Sequence, residues 1–183
     1  VLEVFLKGRN IPYSNISPFG LEYYGGEGRN RGAIYIPYYD CEEKYRLTYY
    51  TLRYILGEYR GYRHPKGLGP PPLYLNAFRG GVEPTILVEG VFDAIRLHTL
   101  GYSAIALSGK HINPLQLKGL LALDIQSLIV LLDGDAILDW VDTVRILRSL
   151  FTYPIHIVYL GVAKDPASAV EGELRSLLKP YYV

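Results

Sequence analysis

The sequence predicts an α/β fold. A parallel sheet flanked by helices occupies residues 83–183, and a smaller, more basic α+β part precedes it over residues 1–82. Three observations lead there. Four short apolar runs, at 84–90, 103–109, 127–135 and 154–161, alternate with segments of helical periodicity. These runs are continuously apolar rather than alternating, as strands covered on both faces must be. Finally, Gly67-Leu68-Gly69-Pro70-Pro71-Pro72 interrupts the chain, and neither a helix nor a central strand passes through such a cluster. Lys and Arg outnumber Asp and Glu up to residue 82, and the balance reverses beyond it.

Each element has a local reason. Residues 2–10, LEVFLKGRN, read as a short helix. Residues 11–32 hold several turns, with GGEGRNRG (25–32) as a mobile turn that lacks the Gly-Lys-Ser/Thr of a phosphate-binding loop. AIYIPYYD (33–40) and YRLTYYTLRYI (45–55) are rich in Tyr and β-branched residues and read as a strand pair joined by a turn at 41–44. In the second half, 84–90 is the first buried strand. The helix at 92–101 places Phe92, Ile95, Leu97 and Leu100 inward and can end at Gly101. The second strand is 103–109. Asn113 is an N-cap and Pro114 the first helical position of the segment 114–123. The third strand, SLIVLLDGD, leads into a helix at 136–151, the fourth strand follows at 154–161, and a helix is expected over 166–179, with Pro166 near its start.

The chain of 183 residues suits one ordinary domain or two small ones. At 49% hydrophobic and 20% charged, disorder is excluded. No apolar run approaches the roughly 18–20 residues that span a bilayer, so no membrane association is expected. The start of the chain has no long apolar stretch after a basic one, so no signal peptide is expected; the first residue is Val and Met is absent, which suggests a trimmed chain. A single cysteine, Cys41, rules out a disulfide framework and any zinc module built from three or four cysteines of this segment. A cytoplasmic location is the expectation.

The chemistry gathers at the carboxyl ends of the strands, where open α/β sheets bind their ligands. Glu89 ends the first strand, Asp133 the third, with Asp135 next, and Asp165 follows the fourth. Asp93 lies four residues after Glu89, one turn into the helix, facing the same rim. Carboxylates gathered this closely repel one another, and the repulsion grows as water is excluded. The group persists if some are protonated or if cations sit among them, and hard cations such as Mg2+ prefer carboxylate oxygen. Gly134 permits the tight path between Asp133 and Asp135.

The segments VEGVFDAIRLHTLGYSAIALSGK, LIVLLDGDA and YLGVAKDPA resemble the successive motifs of a TOPRIM domain, the nucleotidyl-transfer and strand-cleavage module of bacterial-type primases, type IA and II topoisomerases and some nucleases. VFLKGRNIPYSNISPFGLEYY, AIYIPYYD, YTLRYI and LYLNAF resemble the preceding part of the catalytic core of bacterial and phage DnaG-type primases, so the resemblance spans nearly the whole chain. It implies that Glu89, Asp133 and Asp135 are catalytic metal ligands and that Asp93 and Asp165 complete the set, with Mg2+ or Mn2+ as cofactor. Two departures stand out. Ala167 replaces an acid common two residues after the last Asp, and Ile137-Leu138 replaces the usual Ala-Gly.

The resemblance places Arg53 late in the second strand of the upstream pair. Arg60, Arg63 and Lys66 lie nearby, interleaved with Tyr59 and Tyr62, a composition suited to phosphate attraction and base stacking along a single strand. Lys110 ends the second strand of the acidic half, at the rim, where it can hold a triphosphate. The four histidines show no metal-ligand spacing, and His98 and His156 read as packing residues. The implied activity is primer synthesis from ribonucleoside triphosphates on single-stranded DNA, with a replicative helicase as a further partner. The alternatives are a strand-cleaving nuclease or topoisomerase relative and a non-catalytic nucleic-acid-binding module.

Overall fold

The computed structural model describes residues 1–40, 43, 46–133, 137–161 and 165–182, with the side chains of 137–139 left aside. The chain begins with α1 (Leu2–Lys7) and two short 3-10 turns. An antiparallel sheet follows, made of β1 (Glu22–Tyr24), β2 (Ala33–Tyr39), β3 (Leu47–Tyr54) and β4 (Tyr62–Arg63) in that spatial order. The second half alternates β5 (Thr85–Val88), α2 (Val91–Thr99), β6 (Ser103–Ala106), α3 (Pro114–Ala122), β7 (Leu128–Leu132), α4 (Ile137–Leu150), β8 (Ile155–Tyr159) and α5 (Glu171–Leu178). Its four strands are parallel, in the order β6-β5-β7-β8. The expected α/β architecture is therefore the observed one.

The pleat divides the parallel strands between two cores. Ile86, Val88, Ala104, Ala106, Ile129, Leu131 and Val158 face one way. They meet Phe92 and Ile95 of α2 and Leu174 and Leu178 of α5. They also meet Leu6, Phe19, Ile34, Ile36 and Tyr38 from the first half, so one apolar cluster joins the two sheets. The alternate residues Leu87, Ile105, Leu128, Val130 and Leu132 face the other way, onto Leu120 of α3 and Trp140, Val144 and Leu147 of α4. Fully burying one such side chain contributes about 1.5–3 kcal/mol, which is why both faces of these strands are apolar.

Pro37 shows how a strand tolerates proline. β1 pairs with β2 only over Ala33 to Tyr35, so beyond that β2 is an edge and needs no donor at position 37. The Asn76 amide takes the place of the missing strand. It accepts the Tyr39 N–H at 2.8 Å and donates to the Pro37 carbonyl at 2.8 Å. Two residues earlier Tyr74 bridges Ala106, so the segment after the proline cluster also covers the edge of β6.

The structure refines several sequence expectations. The turn at 25–32 joins β1 to β2, closed by the Gly32 N–H on the Tyr24 carbonyl at 2.8 Å. Asn113 caps α3 with a full capping box, its side chain accepting from the Gln116 N–H at 2.9 Å. Strands β1 and β4 were not anticipated. The last helix starts at Glu171 rather than near Pro166. The Asp165 side chain accepts the Ser168 N–H at 2.7 Å and its carbonyl the Ala169 N–H at 3.0 Å, which holds a turn.

Candidate active site

β5 and β7 are neighbours, with Leu87 opposite Val130, so Glu89 and Asp133 leave adjacent strand tips about 5 Å apart in the pairing direction. Asp93 stands in the first turn of α2 and is 5% exposed. One of its oxygens accepts the Ala167 N–H at 3.0 Å. Burial, then the charges of Asp133 and Asp165, push its pKa up to about 8, against the lesser opposing pull of the Ala167 N–H and Arg9. The charges of Asp133, after β7, and of Asp165, after β8, thus both act on Asp93 in α2. A Cβ on Gly90 would collide with the Asp93 carboxylate, which accounts for glycine after Glu89. Ala167, where an acid was the expectation, is buried against this edge and contributes its backbone N–H.

Asp135 lies outside the described residues. Among the described residues no group of three or more His, Cys, Asp or Glu side chains is arranged to hold a metal ion. The donor chemistry nonetheless fits a hard divalent cation. The edge supplies carboxylate oxygens, and a cation would relieve the like-charge repulsion that, after burial, raises the Asp93 pKa.

Glu89 lines a cavity of about 180 Å³ between the two sheets, together with Tyr38, Thr51, Tyr62, His64, Ser108 and Gly109. Ser108 adopts a left-handed conformation with φ of 58°, and its N–H reaches the Glu89 carbonyl at 2.8 Å. Its hydroxyl shares a hydrogen bond of 2.8 Å with Tyr38, whose hydroxyl accepts from Thr51 at 3.4 Å. Thr51 in turn meets His64 Nδ1 at 3.2 Å. Burial pushes the Tyr38 pKa up and the His64 pKa down, so both favour their neutral forms. Lys110 is exposed and follows Gly109 of the cavity lining in the chain.

The cations of the first half do not share one surface. Arg53 and Tyr62 pair across β3 and β4, and the guanidinium lies 4.6 Å from the Tyr62 ring centre. Tyr62 keeps 39% of its surface exposed, yet desolvation raises its pKa, opposed first by the Arg53 charge. Arg63 pairs with Leu52 and so projects to the opposite face. There Arg63 and Lys66 line an open cleft of about 550 Å³ with Arg29, Asn30, Tyr50 and His64. Arg63 donates to the Tyr54 hydroxyl at 3.3 Å and lies over the Tyr54 and Tyr59 rings. Arg60 is exposed on the connection between β3 and β4. His98 bonds the Ala77 carbonyl at 2.9 Å and meets Phe19 edge-on, and His156 packs on Tyr181, so both are packing residues as expected.

Sequence reasoning missed Arg9 and the pairing of Tyr38 with Ser108. Arg9 lies 5.3 Å from the ring centres of both Phe5 and Phe92, and its charge opposes the rise in the Asp93 pKa. In the sequence it is one cation near the end of the first helical segment, with nothing to set it apart.

No protein-family model and no curated protein sequence matches the chain. Solved structures do. A DNA primase domain from Pseudomonas aeruginosa is similar over 98% of this chain and 71% of its own length, with a TM-score of 0.74 at 20% identity. The E. coli primase catalytic core is similar over 99% and 72%, with a TM-score of 0.74 at 16% identity. The DnaG primase catalytic domain bound to single-stranded DNA is similar over 100% and 70%, with a TM-score of 0.68 at 15% identity. The chain thus has the fold of DnaG-type primase catalytic cores, as the motif resemblance implied.

Proposed function

We propose that this chain is a primase catalytic core that makes short RNA primers on single-stranded DNA, acting in the cytoplasm. What supports the reading is the buried Asp93 in a primase-type fold, on which the charges of Asp133 and Asp165 act. In this reading Glu89, Asp133 and Asp135 hold Mg2+ or Mn2+, with Asp93 and Asp165 completing the site. The bound ion would lower the charge on the phosphates and help ionise the attacking hydroxyl. The primer 3′-hydroxyl attacks the α-phosphate of an incoming ribonucleoside triphosphate, a new P–O bond forms, and pyrophosphate leaves. Lys110, next after Gly109 of the cavity lining, holds the triphosphate. Arg53, beside the inter-sheet cavity, steadies the strand near the acids, while Arg60, Arg63 and Lys66 guide the template along the outer face. The structural neighbour bound to single-stranded DNA supports that template, and a replicative helicase remains the expected partner.

Incubation with single-stranded DNA, ribonucleotides and Mg2+ or Mn2+ tests this. Labelled primers should form, and Asp133→Ala should abolish them while leaving the circular dichroism spectrum unchanged. Shortened DNA in place of primers would favour a nuclease, and undiminished synthesis by Asp133→Ala would overturn the site.

A further inference from the structure

A further cavity, of about 390 Å³, lies beside α1 and α2 and is lined by Glu3, Lys7, Asn10, Pro12, Tyr13 and Arg96. It falls within the range of roughly 300–1,000 Å³ common for small-molecule sites. Its floor is unusual. The Arg96 side chain is 7% exposed, yet its only ion pair among the described residues is to Glu171, at 3.8 Å. Its Nε is buried with no hydrogen-bond partner among the described residues. Glu171 is half exposed and holds Arg175 more closely, at 2.8 Å, so it neutralises Arg96 weakly. A buried guanidinium is costly unless its donors are satisfied.

The geometry points to a phosphate-binding site here, separate from the acidic edge, that takes the phosphate group of a nucleotide. Arg96 supplies a planar fork of donors suited to phosphate oxygens. Lys7 adds a second, exposed cation from the last turn of α1. Tyr13, 52% exposed at the rim beside Pro12, offers a flat face on which a base can stack. Glu3 sits in the same lining and disfavours a ligand with negative charge on that side, so the phosphate belongs at the Arg96 end. Asn10 ties this wall to the other site: its side chain donates to the Ala167 carbonyl at 3.0 Å, while the Ala167 N–H serves Asp93.

Calorimetry in EDTA tests the site without any contribution from divalent ions at the acids. ATP should bind, and inorganic phosphate should compete with it. Arg96→Gln should weaken ATP binding tenfold or more. Lys7→Glu, at an exposed position where folding is not at stake, should do the same. A single-stranded DNA oligomer tests the other source of phosphate. If it binds in a Lys7-dependent way and ATP does not, the ligand is a backbone phosphate and the free nucleotide is refuted. Absence of binding by all three probes, or binding indifferent to Lys7→Glu, overturns the proposal.

Discussion

Replacing Asp93 by an asparagine should make the fold less sensitive to pH. In the unfolded chain an aspartate ionises near 3.9, whereas burial and the neighbouring acids push Asp93 up to about 8. Between these values the folded chain keeps a proton that the unfolded chain has released. Stability attributable to this group is therefore complete below about pH 4 and is lost as pH rises toward 8. The slope reaches about 1.4 kcal/mol per pH unit, and the whole loss is about 6 kcal/mol. The carboxamide introduced by Asp93→Asn is neutral throughout, and its oxygen can still accept the Ala167 N–H. Urea unfolding at intervals from pH 5 to pH 8.5 should show the wild-type midpoint falling steadily and that of Asp93→Asn nearly level. Mg2+ added at pH 8 should raise the wild-type stability, by about 2.7 kcal/mol at a hundredfold excess over its dissociation constant, and raise the variant less. Parallel pH profiles for the two proteins would refute the argument that a desolvated, like-charge environment surrounds Asp93.

Three further outcomes follow from named contacts. Arg63→Ala combined with Lys66→Ala should weaken single-stranded DNA binding and make its dependence on log salt shallower by about 1.4, two phosphate contacts' worth, in a filter-binding series. Asn76→Ala removes the amide that completes the edge of β2 and should cost about 1–3 kcal/mol by urea unfolding, with the loss concentrated in hydrogen-exchange protection around Tyr39. Trp140→Ala should cost about 3–5 kcal/mol, and Trp140→Phe distinctly less, because the buried indole N–H has no hydrogen-bond partner to lose among the described residues.

The parallel half was legible because its signals are local and redundant. Continuous apolar runs mark strands buried on both faces, and Asn113-Pro114 fixes a helix start with a cap and a proline at once. The last helix was misplaced because Pro166 gives a start signal that the Asp165 side chain overrides by bonding the Ser168 N–H. Strands β1 and β4, three and two residues long, carry too little pattern to stand out from turns. At the site, the sequence placed Glu89, Asp93, Asp133 and Asp165 at one rim, since a parallel sheet delivers every strand tip to the same side. It gave no hint of how deeply each is buried. Asp93 and Arg96 look alike in sequence, two charges on one amphipathic helix that usually face water. Both are enclosed because residues from the two ends of the chain close over α2, with Asn10 bonded to Ala167 across 157 positions. Spacing shows which charges reach an edge. How strongly they interact there depends on what packs over them, and in this fold those covering contacts are long-range.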